Sequence, residues 1–242
     1  MVVVPDLVAP VVPGGRWRDQ CQPELFIDEL TLRPWRSADV PDVVRAYQDP
    51  AIQRWHVRAM SDHEAEEWVA TWPERWAAET GAGWAVCDDE GPLARMSLRA
   101  LDLAEGTGEV AYWVLPEARG RGVAPRALRA MSTWLFVHVG LHRIELAHST
   151  LNTGSCRVAT KAGYLLEGTK RQQALHQDGW HDMHLHARVQ GDADPPHQVV
   201  ATDDRLWDRS HEVASREDVV DVAALQQELS PQHPLGTKPH LS

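Results

Sequence analysis

Gly108-Glu109-Val110-Ala111-Tyr112-Trp113-Val114-Leu115, followed by Pro116-Glu117-Ala118 and then Arg119-Gly120-Arg121-Gly122-Val123-Ala124-Pro125, decides how this chain folds. The first eight residues are rich in β-branched and aromatic types, which predicts a strand. Ala124, Leu128, Met131 and Leu135 then recur at helical spacing, which predicts an amphipathic helix with Pro125 near its start. The turn between them holds two glycines and two arginines, with no acid after Glu117. A strand, a glycine turn and a helix start make an anion cradle. Backbone N–H groups point outward at a helix N-terminus, and the aligned peptide dipoles add about half a positive charge. Gly120 and Gly122 lack a Cβ, so a phosphate can approach the main chain closely. The turn is not a Walker loop, because no Gly-Lys-Ser/Thr follows. It is not a dinucleotide fingerprint either, which needs glycine where Pro125 stands.

Around this motif, 242 residues with 43% hydrophobic content suffice for one good-sized domain with extensions. The net charge of −11 speaks against nucleic-acid binding and suits a cationic substrate such as an amine. Cys21, Cys87 and Cys156 are odd in number and show no paired spacing. A reduced, cytoplasmic location is therefore expected. No apolar run approaches a membrane span, and Val2-Val3-Val4-Pro5 lacks the basic leader of a signal peptide. Residues 1–24, rich in proline, glycine and valine, read as an extended arm that is ordered only if it packs on the body. Residues 25–190 form the body. Residues 191–242 read as an acidic extension, partly helical or disordered.

Within the body, Phe26 to Trp35 reads as the first strand. Ser37 caps a helix that ends at Asp49-Pro50. Ser61-Asp62-His63-Glu64 is a capping box that opens a second helix. On it Trp68, Trp72 and Trp76 share one face, either as core or as one wall of an acceptor groove. Pro73 is expected to kink or restart that helix. A hairpin follows around Asp88-Asp89-Glu90-Gly91, then the strand, turn and helix above, stopped at Gly140. Arg143 to His148 reads as a strand. Asn152 then caps a helix ended by Gly163, and two strands joined at Asp178-Gly179 complete the body.

The chain resembles the GNAT superfamily of acyl-CoA-dependent N-acyltransferases, and within it the RimJ/RimL branch of ribosomal-protein-alanine N-acetyltransferases. The resemblance covers about Leu30 to Val189. It rests on Leu32-Arg33-Pro34-Trp35, Asp49-Pro50-Ala51-Ile52, the strand and turn quoted above, and Asn152 through Gly163-Tyr164. It implies an α+β fold: a mixed, mostly antiparallel sheet of six to seven strands with helices on both faces. It also implies that Arg119, Gly120, Arg121, Gly122, Val123 and Ala124 bind the pyrophosphate of acetyl-CoA, the acyl donor. A backbone N–H near Val114 or Leu115 polarises the thioester carbonyl, and Asn152 contacts the pantetheine arm or caps its helix.

Acyl transfer to an amine needs a polarised carbonyl, a base for the amine and an acid for the leaving thiolate. Glu109, on one strand face with Ala111 and Trp113, is the expected base. Trp72 and Trp113 are the expected acceptor-side residues. Many family members carry a tyrosine seven residues after the asparagine; Ala159 occupies that position here. Ser155, three residues after Asn152, is the expected acid instead, with a simple capping serine as the other reading. Cys156 reads as a packing residue. His176, His181, His184 and His186 look like a metal cluster, and His184 and His186 share a strand face; but histidines alternating on a half-exposed strand are usually structural, and apart from Asp182 neither a cysteine nor an acid completes a ligand set, so no metal is expected. The expected activity is acetyl transfer to a primary amine, the branch pointing to a protein or peptide N-terminal α-amine. Two alternatives stand beside it: a small-molecule amine acceptor, such as an antibiotic or polyamine, and a catalytically silent acyl-CoA sensor. No nucleic acid or membrane partner is expected, and exposed strand edges leave a homodimer open.

Overall fold

The computed structural model describes residues 7–192 and 200–201. Nine strands form one sheet: β1 (Leu25–Ile27), β2 (Leu30–Pro34), β3 (Ala82–Asp88), β4 (Gly91–Asp102), β5 (Thr107–Val114), β6 (Arg143–Ser149), β7 (Leu165–His176), β8 (Gly179–Val189) and β9 (Val200–Ala201). Their spatial order is β7-β8-β6-β5-β4-β3-β2-β1-β9. The sheet is mixed and mostly antiparallel, as expected, but has more than six or seven strands. The single first strand expected over Phe26 to Trp35 is two, because Asp28 adopts a left-handed φ of 52° and folds β1 back on β2. The two-residue β9 extends the far edge beyond β1. The rest of the expected acidic extension, residues 193–199 and 202–242, lies outside the described residues.

Five α-helices flank the sheet: α1 (Val40–Gln48), α2 (Pro50–His56), α3 (Asp62–Ala77), α4 (Val123–Trp134) and α5 (Thr153–Lys161). Alternation along β3 shows why two cores form. Ala82, Trp84 and Val86 enter the core beneath α4, while Ala85 and Cys87 enter the core beneath α1 and α3. The capping box at Ser61 and Glu64 forms as expected. Pro73 does not break α3, which runs continuously through it. Its ring replaces an N–H, and the helix is held instead by Trp72 and Trp76, both buried. Pro125 sits at the third position of α4, where an N–H has no intrahelical acceptor to lose. A π-helical turn over Leu135–Val139 extends α4 to Gly140, which takes a φ of 88°. Among the described residues no helix is long and apolar enough to cross a membrane.

The arm preceding β1 packs on the body from Val11 onward. Trp17 is fully buried, stacked on Trp76 at 5.4 Å between ring centroids and close to Trp134 at 6.4 Å. The Glu79 carboxylate accepts the backbone N–H groups of Gly15 at 2.6 Å and Trp17 at 2.8 Å. The Trp17 indole donates to the Trp76 carbonyl at 3.1 Å. This buried tryptophan cluster makes the arm part of the core. Trp17→Ala is expected to cost about 3–5 kcal/mol. Urea unfolding should show it as a lower midpoint at an unchanged m-value; a midpoint shift close to zero would mean that the arm is dispensable for stability.

Candidate active site

β5 and β6 run parallel but pair only from Thr107–Glu109 to Arg143–Glu145. Beyond that they diverge, and the gap opens into a cavity of about 450 Å³. The β4–β5 ladder fixes what faces the gap. The Leu115 N–H donates to the Leu93 carbonyl at 2.9 Å. The Ala94–Val114 and Met96–Tyr112 pairs are therefore the non-hydrogen-bonded ones, and their β5 backbone groups turn away from β4. The Tyr112 carbonyl there accepts from His56 Nε2 at 3.0 Å. The Val114 N–H faces the gap. Of the two expected carbonyl-polarising donors, Val114 is thus available, while Leu115 is engaged within the sheet.

The glycine turn leads from this strand end into α4. Gly120 and Gly122 have φ of 78° and 74°, in the left-handed region that disfavours a side chain. A Cβ at Gly120 would meet nothing within 4 Å. The outer side of the turn is therefore open, and the glycines serve backbone conformation and approach. The N–H groups of Gly120, Arg121 and Gly122 find no acceptor among the described residues. Converging main-chain donors at a helix start fit a phosphate group. The arginines are already engaged. Arg119 pairs with Asp49 at 2.6 Å, Arg121 with Asp88 at 3.1 Å, and Arg126 with Glu29 at 2.9 Å.

On the α5 side, Asn152 Oδ1 accepts the Ser155 N–H at 3.0 Å, so Asn152 is the cap. Both residues line the cavity. Ser155 Oγ lies 2.7 Å from the Tyr112 hydroxyl. Burial pushes the Tyr112 phenol well above its usual range, opposed only in part by the Ser155 hydrogen bond. A hydroxyl pair that keeps its protons thus borders the gap. Ala159, where the family tyrosine is missing, is buried in the core; β5 supplies a tyrosine from another direction.

The opposite wall differs from expectation. Glu109 is on β5, but its carboxylate is bound by Arg99 at 2.5 Å and lies outside the cavity lining, to which Arg99 itself contributes. Trp72 is 2% exposed and lies against Gly83, whose added Cβ would fall 2.3 Å from the indole, so Trp72 is core and does not reach the cavity. Trp113 does line it, backed by Trp35 and Tyr47. Trp55, His56, His176 and Ser149 join this wall. Burial, reinforced by the Arg95 charge, lowers the His56 pKa to about 4, so His56 is neutral at physiological pH. His176 Nδ1 donates to the Arg54 carbonyl at 3.1 Å, and its ring stacks on His181 at 4.2 Å. His181 bridges two groups: its Nε2 meets Asp178 Oδ1 at 2.8 Å, and its Nδ1 meets Ser149 Oγ at 2.8 Å. Nε2–H donates to the carboxylate, which leaves Nδ1 to accept from the serine. Ser149 Oγ also accepts the Leu151 N–H at 3.2 Å.

Tyr112, Ser149 and His56 were not singled out by sequence reasoning. Tyr112 had a signal: it stands three residues beyond Glu109 and so on the opposite strand face, toward α5. Ser149 and His56 had none, because only the divergence of β5 from β6 brings them to one cavity.

YdaF of Bacillus subtilis is 27% identical over 121 residues, 50% of this chain and 66% of that protein. A ribosomal-protein-serine acetyltransferase of Escherichia coli is 28% identical over 94 residues, 39% of this chain and 52% of that protein. The chain thus spans about half to two-thirds of the length of these relatives. The solved structure of RimL, a ribosomal L7/L12 α-N-protein acetyltransferase in complex with coenzyme A, matches with a TM-score of 0.65 at 18% identity. That match covers 69% of this chain and 97% of the other, and shows a shared fold. Residues 29–165, more than half of the chain, match the family model described as an acetyltransferase (GNAT) domain, and the chain belongs to the GNAT family of acyl-CoA-dependent N-acetyltransferases.

Proposed function

We propose that this chain transfers an acetyl group directly from acetyl-CoA to the N-terminal α-amine of a protein or peptide. The observation that carries the reading is the gap between β5 and β6. One cavity there brings a free strand N–H at Val114 and a hydroxyl pair on one wall together with an imidazole-lined opposite wall. The turn at Gly120 to Gly122, whose N–H donors have no acceptor among the described residues, adjoins it through Arg119. Bound acetyl-CoA supplies an activated acyl group. The turn amides hold its diphosphate, and the Val114 N–H donates to the thioester oxygen as charge develops there. The tyrosine–serine pair donates a proton to the departing sulfur as the carbon–sulfur bond breaks.

The amine must lose its proton as its bond to carbon forms. Ser149 borders the cavity, with His181 and then the half-exposed Asp178 behind it. We assign this chain of hydrogen bonds as the proton acceptor: Ser149 Oγ takes the amine proton while its own passes to His181 Nδ1, and Asp178 stabilises the imidazolium. Glu109 then holds Arg99 at the acceptor wall. Support for a peptide acceptor comes from the ribosomal-protein substrate in the names of the Escherichia coli relative and of RimL. The net charge of −11 agrees with a cationic acceptor.

A thiol-release assay with acetyl-CoA tests the assignment. Turnover is expected with peptides bearing a free α-amine and not with the same peptides blocked at the N-terminus. Turnover confined to aminoglycosides or polyamines would replace the peptide reading, and acetyl-CoA binding without thiol release to any amine would indicate a sensor. Ser155→Ala and Tyr112→Phe are each expected to lower kcat about a hundredfold, with acetyl-CoA affinity unchanged; a normal rate in both would remove the hydroxyl pair from the reaction. His181→Gln is expected to lower kcat by a similar factor, while Glu109→Gln lowers it less than about tenfold. The reverse ranking would return the base role to Glu109.

A further inference from the structure

Beneath the first turn of α5, on the sheet face away from the acceptor wall, four potential metal-binding side chains converge. His148 stands on β6, His184 and His186 on β8, and Cys156 on α5. His148 lies directly opposite His184, and Leu146 opposite His186, so the three rings share one face. The His148 ring centroid is 5.1 Å from that of His186 and 5.4 Å from that of His184. One donor atom from each of the four residues lies within 4.8 Å of the other three.

The nitrogens involved are not otherwise used. His148 is 5% and His186 1% exposed, yet His148 Nε2 and His184 Nδ1 have no hydrogen-bond partner, and the His186 ring nitrogens have none of good geometry, with the Tyr164 backbone as their polar neighbour. Buried imidazole nitrogens without a hydrogen-bond partner are costly, and native structures rarely tolerate them. The other nitrogen of His148 is oriented: Nδ1 donates to the Ser149 carbonyl at 2.8 Å. That is how a ligating histidine is held with its free nitrogen toward a metal.

We propose that His148, Cys156, His184 and His186 bind one Zn²⁺ ion. Three imidazoles and a thiolate form a tetrahedral set of the kind zinc prefers, and the absence of a carboxylate argues against calcium or magnesium. Metal–ligand bonds of about 2.0–2.3 Å draw the donors to about 3.5 Å apart, a contraction of about an ångström from the present spacing. All four ligands come from the protein, so no position is open for water and the site is structural. The ion ties the first turn of α5 to β6 and β8. Cys156 follows Ser155, so the metal fixes the backbone that presents the proposed acid. Of the four histidines the sequence offered, His184 and His186 belong to the set while His176 and His181 do not; Cys156 and His148 complete it, because the four residues meet across a helix and two strands.

The test uses the full-length protein, stripped with a chelator, reduced and titrated with Co²⁺. The expected result is saturation at one ion per chain, with the intense visible bands of tetrahedral cobalt and a thiolate-to-cobalt charge-transfer band, all abolished by Zn²⁺. Cys156→Ser should lose the charge-transfer band. His184→Gln should weaken binding at least about tenfold, and His176→Gln should change neither. Zn²⁺ should also raise the Tm of the parent protein and not that of Cys156→Ser. A weak octahedral spectrum, or spectra and Tm shifts unchanged by both Cys156→Ser and His184→Gln, would overturn the proposal and place the ion elsewhere. If Cys156→Ser fails to fold, the half-buried His184 variant and the charge-transfer band of the parent protein still decide it.

Discussion

The structure depends on a sheet that does not close. Parallel strands normally pair along their length, because each unpaired backbone group away from water carries a penalty. β5 and β6 pair over three residues and then separate. Every backbone group facing the gap must therefore be satisfied by something other than the sheet. The Tyr112 carbonyl is met by His56, the last residue of α2. The Val114 carbonyl is met by Arg119 Nε at 3.2 Å. The Val114 N–H between these two carbonyls remains for a ligand. The gap is thus a break in one ladder, where the Tyr112 and Val114 carbonyls are covered by the protein and the Val114 N–H is left open.

The same divergence decides which side chains share the cavity. Alternation along β5 sends Val110, Tyr112 and Val114 toward α5, and Glu109, Ala111 and Trp113 toward α1 and α2. Tyr112 is therefore placed to reach Ser155 across the gap, 43 residues away in sequence. Ser149, at the end of β6, occupies the other lip and meets His181 on the neighbouring strand. Proton donation to a leaving group and proton removal from a nucleophile are opposite tasks. On the proposed reading the two walls divide them: one offers the Tyr112–Ser155 hydroxyl pair, the other an imidazole backed by a carboxylate.

Local grammar made most of the fold legible. The capping box at Ser61, the cap at Asn152 and the turn at Asp178-Gly179 each act within a few residues, and the structure has them where the residues indicated. What was not legible is non-local. Glu109 had the right strand and the right face, but its partner Arg99 comes from β4 and takes the carboxylate. Trp72 sits in a regular aromatic stripe, and only Gly83 on β3 shows that this ring fills a core gap. The tight turn at Asp28 was hidden because the run around it alternates like a strand, although aspartate is among the residues that tolerate a left-handed φ. Sequence periodicity gives the face a residue points to; it does not give what the neighbouring element has placed there.

The arginines of the glycine turn show how charge and backbone divide the work of holding an anion. Arg119, Arg121 and Arg126 look like phosphate ligands, yet each ends on a carboxylate from a different element: Asp49 before α2, Asp88 at the end of β3, and Glu29 between β1 and β2. These pairs are partly exposed and each contributes little to stability alone. Together they tie the turn to three separate parts of the fold. With the guanidinium groups so engaged, the turn gains little net positive charge from them. On the proposed reading, attraction for a diphosphate comes mainly from the unpartnered N–H groups of Gly120, Arg121 and Gly122 and from the start of α4. Main-chain donors have directions fixed by the two left-handed glycines, whereas free arginines would attract any anion on a surface otherwise dominated by negative charge. If the turn holds acetyl-CoA as proposed, selectivity for a group of diphosphate shape follows from neutralising the side chains and leaving the backbone bare.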